Sequence, residues 1–235
     1  MDSVCPYCKG SLFINVGYKE KIVNGRKTIY PYAQPCHCQA NKKIGKRFGV
    51  LSTLPDAIPE DSQKVREVFT TDGVARNILF FGDEGTFLYI LKSYMLHDFF
   101  YRNYMLLEGG NIVEIYNVPR KDDWLTIQCL NQYDLLALLF TTTSGYESVK
   151  SCVADVVKNR LRLTVPTWIY CRSEDTLKSC KEYSPDLEQY LDKFTRIAVG
   201  DNIHLKGYTR QGSLKLKAKK ERDINDLLGR KGGKI

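Results

Sequence analysis

Apolar and polar positions along the chain repeat with two different periods, and the two alternate. Asn77-Ile78-Leu79-Phe80-Phe81 is a short apolar run ended by Gly82, and from Phe87 to Phe100 the positions Phe87, Leu91, Tyr94 and Met95 fall at helical intervals. Ile112 to Tyr116 reads as a further strand. Asp134 to Phe140 is apolar on both faces after its first residue, as a strand buried inside a parallel sheet is. Residues 147–162 are helical in pattern, Val165 to Cys171 form a strand, and Pro185 to Phe194 a last helix before Arg196-Ile197-Ala198-Val199. Strands alternating with helices predict an α/β domain with a mainly parallel sheet flanked by helices.

The first fifty residues follow a different plan. Leu12-Phe13-Ile14 and Thr28-Ile29-Tyr30 read as two strands around a turn at Asn24-Gly25, a hairpin too small to hold a core of its own. Leu54-Pro55 and Ile58-Pro59 interrupt any helix and suggest a boundary near residues 48–62. At the far end, residues 213–229 have the composition of a basic helix stopped by Gly229, or of a solvated tail. The expected organisation is a small module over 1–48, a linker over 49–74, the α/β domain over 75–204 and a tail over 205–235.

Composition adds that 235 residues, 43% of them hydrophobic, suffice to bury a core, which excludes wholesale disorder. No stretch reaches the roughly 20 apolar residues of a membrane-spanning helix, and MDSVCPYC lacks the basic and apolar regions of a secretory signal. The expected compartment is the cytoplasm, with no membrane partner. The net charge of +8 is unevenly divided. Residues 1–48 carry nine Lys/Arg against two Asp/Glu, residues 49–204 sixteen against twenty-two, and residues 205–235 ten against three. Two basic ends around an acidic centre point to polyanion contacts outside the central domain, through Lys42, Lys43, Lys46 and Arg47 on one side and Lys215, Lys217, Lys219, Lys220 and Arg222 on the other.

Eight cysteines sharpen the picture. Cys5-Pro6-Tyr7-Cys8-Lys9-Gly10 has the form of a metal knuckle, and Cys36-His37-Cys38, after Pro35, supplies a second pair that the hairpin returns to the first. The expected ligands are Cys5, Cys8, Cys36 and Cys38 around a structural Zn²⁺ with no open position for water. His37 in place of one thiolate, or thiols left reduced or disulfide-bonded, are the alternatives. Cys129, Cys152, Cys171 and Cys180 have no metal spacing and read as buried small side chains. His37, His97 and His204 are scattered, and no Ser/His/Asp or Cys/His set is visible.

The segment Gly82-Asp83-Glu84-Gly85-Thr86-Phe87-Leu88-Tyr89 sits where a phosphate-binding loop sits in an α/β plan. A working loop reads GxxxxGK[ST], and its last three positions are here Phe87, Leu88 and Tyr89. Asp83 and Glu84 set two negative charges where phosphate would approach. After Leu138-Leu139-Phe140 come Thr141, Thr142, Thr143 and Ser144, with no carboxylate for Mg²⁺ before Glu147. Gly82, Gly85, Thr86, Leu88 and Tyr89 thus make up a degenerate loop, and ATP is not an expected cofactor. An ordinary α/β domain unrelated to ATPases would also read this way.

The order CPxC…PCxC, basic segment, α/β domain with GDEGT resembles the DnaC/DnaI-type helicase loaders of bacteria and their phages. Leu135 to Thr143 resembles the Walker B strand of that family, Val165-Pro166-Thr167-Trp168-Ile169-Tyr170 its sensor strand, and Leu191-Asp192-Lys193-Phe194-Thr195-Arg196 its final helix and strand entry. The resemblance implies an AAA+ fold, partnership with a DnaB-type replicative helicase and contact with single-stranded DNA, and it is compatible with self-association. Arg160 and Arg162 lie near the region of an arginine finger and read, without nucleotide, as helix-end or surface cations. The expected function is a DNA-replication accessory factor that is not itself an enzyme. A zinc-ribbon DNA- or RNA-binding regulator and a conditionally active ATPase are the competing readings.

Overall fold

The computed structural model describes residues 5–23, 26–108, 127–140, 147–173 and 189–200, together with short strands between residues 204 and 223. The N-terminal hairpin pairs β1 (Phe13–Val23) with β2 (Arg26–Pro35) antiparallel, Val23 opposite Arg26 and Phe13 opposite Pro35. Its strands are longer than the apolar triplets predict, because Lys and Tyr continue the alternation that extended backbone accepts. A bulge between Asn15 and Gly17 shifts the register.

The chain then enters α1 (His37–Arg47), a 3₁₀ turn (Gly49–Thr53) and α2 (Pro59–Phe69), with Pro59 at the first helical position, where its missing N–H costs nothing. A short β3 (Thr70–Thr71) and β4 (Val74–Ala75) lead to β5 (Ile78–Gly82) and α3 (Glu84–Leu96). After β6 (Tyr104–Glu108), the short α4 (Ile127–Leu130) precedes β7 (Leu135–Phe140), α5 (Glu147–Arg162), β8 (Thr167–Cys171) and β9 (Thr195–Val199). Five strands are parallel in the order β9-β5-β8-β7-β6. This is the mixed α/β architecture that the alternating periods predict.

The alternating side chains of the strands build two cores. Ile78, Phe80, Ala137, Trp168 and Tyr170 face α3, α2 and α1. Leu79, Leu136, Leu138 and Ile169 face Val153, Val156 and Val157 of α5 with Leu191 and Phe194. Every residue of α3 from Thr86 to Leu96 is buried, since α2 lies beside it and α1 packs over it.

The basic segment after the cysteines and the stretch expected as a linker over 49–74 thus include helices whose apolar sides, Ala40, Ile44, Phe48, Leu51, Val65 and Phe69, belong to the sheet's own core. Polar ties hold the Pro-containing stretch between them. Buried Asn41 exchanges two hydrogen bonds with the backbone of Ala57, and buried Lys92 donates to the carbonyls of Leu54 and Pro55, 3.5 Å from Asp56.

Three expectations differ from the structure or fall outside it. The strand that ends the first crossover is Tyr104–Glu108, where Tyr104 sits in the core, and the segment Ile112 to Tyr116 lies outside the described residues. Within 213–229, expected as a basic helix or a solvated tail, the described residues form β12 (Leu214–Leu216) and β13 (Arg222–Asp223), which extend the sheet antiparallel from β9; β10 (His204–Leu205) and β11 (Tyr208–Thr209) pair separately. Leu214-Lys215-Leu216 alternates with period two, and the open edge of β9 offers it a ladder of backbone partners. Of the helix expected from Pro185 to Phe194, residues 189–194 are described: 189–191 are helical and 192–194 form a turn before β9.

Candidate metal centre and the loop after the first parallel strand

Cys5 and Cys8 lie on a tight turn in which Lys9 and Gly10 have positive φ, +47° and +87°, and in which the Lys9 N–H donates to the Cys5 carbonyl. Glycine takes that conformation without strain. The Cys36 N–H donates to the Leu12 carbonyl, so the start of α1 is hydrogen-bonded to the knuckle, with Cys36 at the position just before the first helical residue. These constraints bring the sulfurs of Cys5, Cys8, Cys36 and Cys38 to within 4.8 Å of one another. The Cys5–Cys36 and Cys8–Cys38 separations are 3.7 and 3.6 Å. A disulfide requires about 2.05 Å. Four thiolates about 2.3 Å from one tetrahedral ion stand about 3.8 Å apart. The spacing fits a shared metal ion and not a pair of disulfides.

The His37 ring stacks edge-on against Tyr7 at 4.4 Å, with Nδ1 3.6 Å from the Cys36 sulfur, so it borders the four-thiol set. Burial raises the pKa of the Cys36 and Cys38 thiols. At Cys8 the same penalty is outweighed by hydrogen bonds from the Gly10 and Leu12 backbone, and its pKa falls to about 7. Among the other cysteines, Cys171 is buried in β8 and Cys129 is half-buried. Cys152 lies on α5, and Cys180 is outside the described residues.

The loop after β5 is closed by its own residues. Gly82 has φ +113°, and a Cβ there would stand 1.8 Å from the Val199 carbonyl oxygen. The Asp83 N–H donates to that oxygen at 2.7 Å, and the Tyr170 hydroxyl donates to the Gly82 carbonyl at 2.6 Å. The Asp83 carboxylate then accepts the Thr86 N–H at 2.7 Å, capping α3 with the negative charge that a phosphate would bring.

The three positions that carry phosphate chemistry elsewhere are packing residues here. Phe87 stacks on Tyr170 with ring centres 5.1 Å apart, Leu88 is buried, and the Tyr89 hydroxyl donates to Asp61 of α2 at 2.7 Å. Gly85 lies in the first turn of α3. Above the loop is a cavity of about 660 Å³ lined by Thr53, Asp83, Glu84, Leu88, Tyr170 and Arg172. It lies at the carboxyl edge of the sheet, where open α/β sheets hold ligands. Thr142 and Thr143 are outside the described residues.

Arg160 corrects the sequence reading. It is fully buried and donates to the carbonyls of Leu130, Tyr133 and Pro166 and to the Thr167 hydroxyl, tying α4 and β8 to α5. Burial lowers its pKa to about 10, leaving it charged at neutral pH. An arginine amid apolar helix positions gives no sequence sign of such a clamp. Arg162 is exposed, as expected.

The basic candidates separate in the same way. Lys42, Lys43, Lys46 and Arg47 are all exposed on α1, opposite its buried Ala40, Asn41, Ile44 and Gly45. Lys215 and Arg222 fall on β12 and β13, while Lys217, Lys219 and Lys220 lie outside the described residues. No helix among the described residues is long and apolar enough to cross a membrane. Compared with known proteins, the chain matches no protein-family model and no curated protein sequence.

Proposed function

We propose that this protein is a replication accessory factor of the helicase-loader type, AAA+-like in its sheet, that grips a DnaB-type hexameric helicase and contacts single-stranded DNA in the cytoplasm without hydrolysing ATP. The observation that carries the reading is a juxtaposition. The loop-bearing strand β5, the sensor-like strand β8 and the Walker-B-like strand β7 are parallel neighbours whose carboxyl ends share one edge, while a four-cysteine cluster starts the helix that packs over α3. In this reading the cysteines hold Zn²⁺, which supplies a structural staple and no catalytic water.

Loss of ATP chemistry is supported by the Asp83 cap, by Phe87 and Tyr89 in packing roles, and by the two acids lining the cavity above the loop. Binding free energy alone can hold a ring and deliver it to DNA. A protein partner is supported by the outer face of the hairpin, where Phe13, Tyr18, Ile22 and Ile29 are each more than half exposed. Apolar surface of that kind marks interaction sites. Co-purification with DnaB-type helicases, alongside titration with ATP·Mg²⁺, tests the reading. A stable complex without nucleotide is the expected result; ATP turnover by the isolated chain would refute it.

A further inference from the structure

The two faces of the β1–β2 hairpin differ in kind. Because side chains alternate and residues opposite one another share a face, Lys19, Lys21, Arg26, Tyr30 and Tyr32 lie together, away from Phe13, Tyr18, Ile22 and Ile29. The one acid of the hairpin strands, Glu20, is on the apolar face, paired with Lys27 at 2.9 Å. Every charged residue of the other face is basic.

Two of the aromatic rings there, Tyr30 and Tyr101, are exposed. Lys19 Nζ lies 3.5 Å from the centre of the Tyr32 ring, Tyr30 is 39% exposed, and Tyr101, 66% exposed, neighbours Tyr32 from the corner after α3. Next to Tyr101, Phe100 carries Lys43 of α1 over its ring at 4.9 Å. A continuous track of cations and aromatic faces thus runs from the exposed side of α1 to the hairpin tip.

We propose that this track is a binding platform for single-stranded DNA, with bases stacked on Tyr30 and Tyr101 and phosphates held by Lys19, Lys21 and Lys43. Charge complementarity selects a polyanion, and open tyrosine faces select unpaired bases over a duplex, whose bases are already stacked. The platform deepens the functional reading above and rests on its single-strand contact. It extends that contact from Lys43 of the basic run on α1 to hairpin residues that neither that run nor the C-terminal segment includes.

The test is fluorescence anisotropy of the full-length, metal-loaded chain with a 20-nucleotide single strand, the matching duplex and the matching RNA strand, over a series of salt concentrations. Lys19→Ala with Lys21→Ala should flatten the slope of log affinity against log salt by about 1.4, since each phosphate contact on a single strand contributes about 0.7. Tyr30→Leu should weaken binding about fivefold or more. Lys27→Ala, on the opposite face, should change affinity less than twofold. Metal content measured on each variant reports that the hairpin is intact. Duplex or RNA bound more tightly than single-stranded DNA overturns the platform. Wild-type protein that fails to bind the single strand overturns the platform and the DNA contact of the functional reading together; wild-type binding that the Lys19, Lys21 and Tyr30 changes leave intact overturns the platform alone.

Discussion

Gly82→Ala separates the two reasons for which a glycine can stand in this loop. If Gly82 serves phosphate approach, its replacement should affect a ligand and leave the fold intact. The structure gives it another task, because the added Cβ would meet the backbone of β9, 1.8 Å from the Val199 oxygen and 2.9 Å from the Val199 carbon. Neither atom is the end of a flexible side chain, so β5 and β9 must part locally.

Forcing a side chain into φ +113° costs about 1–3 kcal/mol. Relief of the overlap adds about 1–3 kcal/mol. The strained bond from the Asp83 N–H to Val199 adds about 1 kcal/mol. The sum, about 3–7 kcal/mol, is a large share of the roughly 5–15 kcal/mol that keeps a domain folded. In a chain of this size it corresponds to a fall in Tm of roughly 6–28 °C. Gly49→Ala is the control, since a Cβ there meets nothing within 4 Å, and it should shift the melt by no more than about 2 °C. Both variants are followed by thermal denaturation with circular dichroism. A Gly82→Ala protein that melts within about 2 °C of wild type would refute the assignment of Gly82 to the β9 contact.

Three further outcomes follow from the same geometry. Arg160→Met leaves the Leu130, Tyr133 and Pro166 carbonyls without their donor and should destabilise by about 3–5 kcal/mol in urea titration, with no change in a helicase pull-down from the folded fraction. Wild-type protein should carry one metal ion per chain by elemental analysis; Cys36→Ser should lose it, and Cys129→Ser, outside the cluster, should keep it. Metal affinity should rise with pH, since the ion binds thiolates. Cys8, with its pKa near 7, gives up its proton first, whereas Cys36 and Cys38, raised by burial, must release theirs to the ion. Competition with a chromophoric chelator between pH 6 and 8 measures this, and an affinity independent of pH would contradict four-thiolate binding.

The parts of the fold that one period governs could be read from the chain. The buried runs Ile78–Phe81 and Leu135–Phe140 appear as central strands, and the CxxC and CxC pairs meet where the hairpin predicts. Legibility failed where tertiary context decided. Tyr104 to Glu108 is only partly apolar, and its strand is fixed by pairing with β7. Leu214 to Leu216 lies in a composition that suits a helix, and becomes a strand because β9 has an open edge. At the loop, the absence of Lys and Ser/Thr was visible in sequence. The Asp83 cap, the Tyr170 bond to Gly82 and the contact with Val199 were not, since they join residues 83, 170 and 199 across the sheet. The basic-aromatic face of the hairpin was hidden for a similar reason. Lys19 and Lys21 alternate with Glu20, and only the register of the pair shows that the acid faces away.

The central claim is that this chain holds a replicative helicase without using nucleotide. Native mass measurement of the metal-loaded protein, mixed with each of a panel of bacterial DnaB-type hexamers in the presence and absence of ATP·Mg²⁺, tests it most directly. The account predicts a complex with at least one hexamer whose mass and abundance are unchanged by nucleotide. No complex with any member, or one that forms only when ATP is present, would contradict it.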